Sequence, residues 1–373
     1  MRSSPRLRAS SFVLASGVAA ALVLSAPFVG YVRAVIRARF PGQFVRIVGG
    51  AIGVLAVAGI GAALLRIRDR RALRYTAIAG ALALAVWSSV SEATGVADVD
   101  VVQRFHFVEY GLITFLFYRA WRPLGDLSIF LLPVLAGLLV GTADEWLQWF
   151  IPNRVGEMAD IFLNGIAIAC GLAFSAGADP PPEGFVVSFR PASLKRFGRL
   201  SAAFILAFAA FFHTVHLGYD IADEDIGVFK SRYSKPQLAA MVQDKAQEWR
   251  AHPLPLVLQR ASREDQYLTE GLTHVQERNK RWAAEDAVAA WKENQILERY
   301  YALVLDTPSY VSRTGHRWSA EQRAQAEARA NAAWAGVPYV SAANPYPIFA
   351  WSRALVWAGA LGLAAACLLI FRR

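Results

Sequence analysis

Three polar clusters interrupt the strongly apolar stretch between residues 104 and 177, and their residue types are those of acid–base and headgroup chemistry. The first is RFHFVEY, with Arg104, His106, Glu109 and Tyr110. The second is DEWLQWFIPNR, with Asp144, Glu145, Gln148, Asn153 and Arg154. The third is ADIFLNG, with Asp160 and Asn164. Adjacent carboxylates against apolar walls are suited to general acid or base work near neutral pH, which assigns that role to Glu145 or Asp144. His106 is suited to relaying a proton. Arg154 is suited to holding an anion such as a lipid phosphate through paired N–H donors. Gln148, Glu109, Asp160 and Asn164 complete the candidate binding set. Acids with one imidazole also fit a divalent metal. No spacing matches a metal motif, so no cofactor is expected and a metal stays an alternative.

Helical spacing groups these residues. His106/Glu109 and Glu145/Gln148 are i,i+3 pairs, and Asp144/Gln148 and Asp160/Asn164 are i,i+4 pairs, so each pair shares a helix face. The plain alternative is a set of hydrogen bonds pinning helices together, each worth about 0.6 kcal/mol on average in a membrane. Several carboxylates, a histidine and an arginine are more than such pins require, and ionisable groups at membrane depth mark functional sites by default.

The elements that position them are membrane spans. The chain has 373 residues, 55% of them hydrophobic and 18% charged. Apolar runs of about 20 residues with basic flanks read as spans, here near 12–30, 45–65, 72–91, 104–121, 127–149, 157–177, 200–218 and 349–371. The first resembles a signal peptide but lacks a small-x-small cleavage site and is followed by more spans, so it reads as an anchor. The net charge of +10 does not point to nucleic acid. Of 39 basic and 29 acidic residues, 16 and 17 lie in 219–348, leaving 23 against 12 in the membrane part.

Basic loops set the orientation. Arg66, Arg68, Arg70, Arg71 and Arg74 mark a cytoplasmic loop. Arg2, Arg6 and Arg8, then Arg119/Arg122, the Arg190–Arg199 segment and Arg372–Arg373 fall on the same side. The acidic loop with Glu92, Asp98 and Asp100 falls outside. Arg33, Arg37, Arg39 and Arg46 dissent: they snorkel from span ends, form a short interfacial helix, or mark the first span as misread. In this topology all three polar clusters converge at the outer face.

The pattern of His106–Phe107, then Asp144–Glu145–Trp146–Leu147–Gln148, then Pro152–Asn153–Arg154, then Asp160 to Asn164 with Gly171, resembles the VanZ-like family of membrane proteins over about residues 90–177. The family loop is commonly P-G-R, and Asn153 tolerates the left-handed backbone that glycine would adopt there. The family takes its name from an association with glycopeptide resistance. The resemblance implies a bacterial cytoplasmic-membrane protein, a fold and a site, not a reaction.

Residues 219–348, between the last two spans, read as an extracytoplasmic helical domain. Ser234, Ser262 and Ser319 stand at capping positions, with Gln237, Asp265 and Gln322 three residues on. AEDAVAAWKENQILERYYALVL reads as one further helix with an apolar stripe, and Pro253, Pro255 and Pro308 break between helices. The domain reads as a cap over the membrane site. Glu270, His274 and Arg278 read as a salt-bridged exposed face. His213, His216 and Asp220 share a helical i, i+3, i+7 face that could take a metal, although such residues are common at helix ends near water. Cys170 and Cys367 lie in spans and read as inert thiols.

The expectation is an all-α polytopic membrane helix bundle of about eight spans with both termini cytoplasmic. Its parts are three N-terminal spans (1–90), a VanZ-like core (91–177), a cytoplasmic loop and seventh span (178–218), the outer helical domain (219–348) and a C-terminal span (349–373). The expected function is recognition or modification of an envelope component, a lipid-linked precursor or a phospholipid headgroup, with membrane lipids or cell-wall precursor as partners. The alternative is a non-catalytic scaffold or antibiotic-response protein whose outer domain binds a partner. A transporter is disfavoured, since no internal repeat is visible and the polar groups cluster at one surface.

Overall fold

The computed structural model describes residues 9–151, 154, 156–251, 265–309, 312–334 and 336–372. Arg2, Arg6, Arg8, Pro152, Asn153, Pro253, Pro255, Ser262 and Arg373 lie outside them. The chain divides into two compact units, one made of Met1–Gln148, Gly156–Phe211 and Trp357–Arg373, the other of Trp149–Val155 and Phe212–Val356.

The first unit is an all-α membrane bundle. Its helices are α1 (Ala9–Arg39), α2 (Phe44–Arg66), α3 (Arg71–Ser91), α4 (Ala97–Trp121), α5 (Ser128–Gln148), α6 (Met158–Ala178) and most of α7 (Pro191–Val215), together with most of the C-terminal span Arg353–Ile370. Seven of these, all but α4, are long and apolar enough to cross a membrane. α4 has the length, at 25 residues, but carries Asp98, Asp100, Arg104, Glu109 and Arg119. It packs against α1, α2, α3, α5 and α6, which bury Asp100 and half-bury Asp98 and Glu109, while Arg104 and Arg119 stay exposed. α1 runs on to Arg39, so Arg33 and Arg37 belong to the span end and no separate interfacial helix forms. Both guanidiniums lie over the Phe44 ring, at 5.5 and 5.2 Å, and Arg37 pairs with Asp98.

Small residues let the inner helices touch. A Cβ on Gly171 of α6 would sit 2.7 Å from Gly111 Cα of α4, so the two backbones meet there. Gly177 of α6 likewise lies against the Arg74 carbonyl of α3, where a Cβ would come within 2.8 Å. Arg74 itself is buried. Its Nε and Nη2 donate to the carbonyls of Gly177 and Ala178, both at 2.8 Å, and its Nη1 to Asp69 at 2.6 Å. A fixed cation thus satisfies the orphan carbonyls at the α6 C-terminus. At the same helix end Tyr118 OH donates to Asp179 O and Arg122 Nε to Pro180 O, at 2.8 and 2.7 Å.

The second unit holds a β-hairpin, where the sequence reading had only helices. Strands β1 (Tyr219–Asp223) and β2 (Gly227–Ser231) pair antiparallel with Ile221 opposite Phe229, both buried. The alternation was visible in Tyr219, Ile221 and Phe229, but acidic residues 223–225 masked it. Gly227 has φ +128° and its Cβ would lie 2.1 Å from Tyr339 O, so only glycine fits. Val228 N–H donates to Tyr339 O at 2.8 Å and Ser341 N–H to Val228 O at 2.9 Å, a single parallel bridge that holds Val340 beside the hairpin.

Helices α8 (Lys235–Ala251), α9 (Gln266–Ala283), α10 (Ala287–Tyr300), α11 (Ala302–Asp306) and α12 (Ala320–Ala333) follow, before the C-terminal span, α13. Ser319 caps α12 by accepting from Gln322 N–H at 3.1 Å, and Gln237 Oε1 accepts from Ser234 N–H at 2.8 Å. Asp265 caps α9 through Leu268 N–H at 3.0 Å. The helix expected through residue 305 breaks at Tyr301, whose buried hydroxyl donates to Glu270 at 2.7 Å. Where the chain enters and leaves this unit, residues 216–218 and 347–349 run side by side. Gly218 N–H donates to Phe349 O at 3.0 Å, Phe349 N–H to His216 O at 2.8 Å, and His216 Nδ1 bonds Pro347 O at 2.7 Å. α7 has ended by Val215 and Asp220 lies on β1 facing Lys230 Nζ at 2.8 Å, so the helical face expected for His213, His216 and Asp220 does not form.

The expected exposed face of Glu270, His274 and Arg278 is instead buried, at 1%, 1% and 2% exposure. Glu270 accepts from Ser231 Oγ at 2.6 Å, Arg232 N–H at 2.9 Å and Tyr301 OH. His274 Nδ1 meets Glu293 Oε2 at 2.6 Å, and Glu293 Oε1 accepts from Tyr339 OH and Ser341 Oγ. Arg278 donates to Asn294 Oδ1 and His316 O, at 3.0 and 2.7 Å, and lies over the Trp318 ring. Partners from distant segments absorb charges that a single helix would have turned to water.

Candidate functional site

The membrane unit brings residues of all three clusters together. On α4, His106 Nδ1 lies 2.8 Å from Asn164 Oδ1 of α6. One turn on, Tyr110 stacks its ring on His106 with centroids 6.0 Å apart, and its hydroxyl donates to Asp144 Oδ2 of α5 at 3.2 Å. Gln148 Nε2 then donates to both Asp144 Oδ2 at 3.0 Å and Glu145 Oε1 at 3.1 Å. Glu145 Oε2 accepts from the Glu157 N–H, just before α6, at 3.3 Å. Glu145, Asn164 and Tyr110 are fully buried, and Asp144 and Gln148 nearly so.

Local sequence explains this placement. The i,i+3 and i,i+4 spacing of Gly141, Asp144, Glu145 and Gln148 puts them on one face of α5. Gly141 makes the room, since its Cβ would meet Asn164 Nδ2 at 3.2 Å and Tyr110 Cε1 at 3.3 Å. The Gly111–Gly171 contact brings α4 and α6 close enough for His106 to reach Asn164. With Asn164 Oδ1 as acceptor, His106 Nδ1 is the donor of this contact.

Three buried polar atoms near this cluster have no hydrogen-bond partner among the described residues: Asn164 Nδ2, Thr142 Oγ1 and Trp146 Nε1. An orphaned amide donor inside a protein forfeits about 1–3 kcal/mol, so a water or ligand with acceptors is the usual occupant.

His106, Asp144, Glu145, Gln148 and Asn164 therefore meet in one connected chain. Glu109 lies half-buried one turn from His106. Asp160 is half-buried in the first turn of α6, where the helix dipole favours a carboxylate, and no described side-chain bond joins it to the cluster. Arg154 is half-buried and belongs to the second unit, its backbone N–H on Ile151 O at 3.1 Å. Tyr110 was visible as a polar residue but not as the link to Asp144; its place one turn after His106 was the signal. Among the described residues no group of three or more His, Cys, Asp or Glu side chains is placed to hold a metal ion.

Residues 68–176 match the model of the VanZ/LLP1 family. No curated protein and no solved structure matches the chain. The matched segment starts ahead of α3, earlier than the motifs alone indicated, and it encloses the whole polar chain from His106 to Asn164. The membrane bundle of this protein thus contains a VanZ-like domain, and its connected polar residues lie inside that domain.

Proposed function

We propose that the polar site of the VanZ-like domain opens on the outer face of the bacterial cytoplasmic membrane and recognises or modifies a cell-envelope component, a lipid-linked precursor or a phospholipid headgroup. The observation that carries this reading is the buried chain from Asn164 through His106, Tyr110, Asp144 and Gln148 to Glu145, with an amide donor left open at Asn164. Buried polar groups in a membrane that leave donors open are better suited to a ligand than to pinning helices. Glu145 and Asp144 serve as acid and base, His106 as relay through its Nε2, and Gln148, Asn164, Glu109 and Asp160 as positioning groups. Arg154 holds the anionic part. The basic loop with Arg66, Arg68, Arg70, Arg71 and Arg74 lies in the cytoplasm with both termini, and residues 219–348 lie outside.

The test is Glu145→Gln in cells, scored by susceptibility to envelope-directed antibiotics alongside protein abundance in the membrane. Loss of the phenotype at unchanged abundance supports the reading. A normal phenotype at unchanged abundance contradicts it. A second reading, a non-catalytic scaffold, draws on the internal donors that hold both carboxylates, and it is supported if the variant disappears from the membrane.

A further inference from the structure

We propose that the second unit carries a saccharide-binding groove, taking a neutral pyranose whose ring stacks on Trp334 and whose adjacent hydroxyls bond Arg281 and Asp286. The groove uses other residues than the polar chain of the membrane unit, so it stands or falls apart from the envelope-component reading.

The groove, about 360 Å³, forms where the ends of α9 and α12 meet the start of α10 and the chain from Val337 to Val340. Small-molecule sites run upward from about 300 Å³, so the space suits a sugar. Glu285, in the left-handed region at φ +62°, turns α9 into α10, and Asp286 N–H donates to Arg281 O at 3.0 Å. That turn sets Arg281 and Asp286 side by side on the wall, with Arg281 Nη1 on Asp286 Oδ2 at 3.4 Å. Trp334, directly after α12, lines the groove and is 42% exposed. Lys292 Nζ lies over its ring, 4.6 Å from the centroid, and donates to Asp225 O at 2.5 Å, so the indole is held from that side. Pro338 and the exposed Val337 and Val340 supply further apolar wall.

The two charged residues of the wall neutralise one another and keep bonding positions open. Arg281 Nε is committed to Glu277 at 2.6 Å, and its Nη2 donates to no described residue. Asp286 Oδ1 accepts from Ala289 N–H at 3.1 Å, and each carboxylate oxygen retains an acceptor position. A planar donor pair beside carboxylate acceptors matches adjacent hydroxyls, since each hydroxyl both donates and accepts. The C–H face of a pyranose ring matches the apolar surface of Trp334. An anion would meet Asp286 and Glu277 beside the guanidinium, and a cation would meet Arg281 itself. A wholly apolar segment would cover Arg281 and Asp286 without answering their open positions, which is costly. A neutral polyhydroxylated ring answers both the polar pair and the indole.

The experiment uses the full-length purified protein in a detergent without a sugar headgroup, read by saturation-transfer difference NMR. Cellobiose, maltose and N,N′-diacetylchitobiose are the probes. At least one of them is expected to show saturable transfer, strongest at its ring C–H protons. Trp334→Ala should abolish that transfer. Arg281→Lys, which keeps the charge but not the planar fork, should weaken binding about tenfold, the factor that one hydrogen bond to a charged group carries. This conservative variant decides the matter where Trp334→Ala does not fold. Absence of transfer to all three saccharides overturns the proposal, as does transfer of equal strength in the unaltered protein and both variants. Transfer to acetylated trialanine amide that Trp334→Ala removes, with none to the saccharides, assigns the groove to a peptide and overturns it as well.

Discussion

His106 Nδ1 and Asn164 Oδ1, 58 positions apart in the chain, lie 2.8 Å from one another and join α4 to α6 inside the membrane bundle. The contact orients the imidazole and so links helix packing directly to the chemistry available at the site. A double-mutant cycle with His106→Ala and Asn164→Ala is expected to give a coupling energy of about 0.6 kcal/mol and at most about 1.7 kcal/mol, the range for hydrogen bonds between membrane helices. Unfolding of the purified single and double variants measures it.

Much of this was legible in the chain, for identifiable reasons. Spans announce themselves as apolar runs of bilayer length. His106, Asp144, Glu145, Gln148 and Asn164 stood out because polar side chains are rare at that depth. Asp160 stood out equally but stays apart from the chain of bonds, since its first-turn position is favoured by the helix dipole alone. The burial of Glu270, His274 and Arg278 was not legible. An i, i+4, i+8 charged row reads as a solvated face, and the groups that bury it, Ser231, Glu293, Tyr301 and Trp318, come from elsewhere in the chain. Tyr301 also ended a helix whose apolar stripe continued past it.

Gly171 is expected to be intolerant of even a methyl group. Its Cβ would meet the Gly111 backbone at 2.7 Å, whereas a Cβ on Gly165 would meet only Leu138 Cδ2 at 3.8 Å. Gly171→Ala should destabilise the bundle by about 1–3 kcal/mol, the cost of overpacking, and Gly165→Ala should not. Thermal unfolding of the two proteins in one detergent decides this.

Arg74 should matter to stability although it sits among arginines that mark only topology. Arg74→Ala leaves the Gly177 and Ala178 carbonyls without their donor and is expected to cost about 1–3 kcal/mol. Arg71→Ala, at an exposed position, should leave the melting temperature unchanged. Equal melting temperatures for the two variants would contradict the capping role.

The second unit should show opposing pH dependences from two buried glutamates. Burial raises the Glu293 carboxyl, but the charge of His274 and hydrogen bonds from His274, Ser341 and Tyr339 outweigh it and leave the group below its usual value. Its stabilising contribution is therefore present above the usual carboxylate range and lost as pH falls through the folded-state value. Burial raises Glu270 despite its three hydrogen-bond donors. That contribution is present at low pH and lost as pH rises through the raised value. Asp223, where burial is outweighed by Tyr300 and Arg299, is held at about 2 and adds acid sensitivity between 3.8 and about 2. Glu293→Gln should flatten the loss of stability as pH falls below the usual carboxylate range, and Glu270→Gln the loss as pH rises above it. Unfolding followed by tryptophan fluorescence across the pH range reads both.

The opening of the polar site on the outer face is tested most directly by thiol labelling in intact cells. In a background with Cys170 and Cys367 replaced by alanine, single cysteines go at Ala97 and Phe150, exposed positions beside the clusters, and at Arg71 in the basic loop. A membrane-impermeant maleimide should label Ala97→Cys and Phe150→Cys in whole cells and Arg71→Cys only after permeabilisation. Labelling of Arg71→Cys in whole cells, with Ala97→Cys and Phe150→Cys protected, would place the site on the cytoplasmic side and contradict the account.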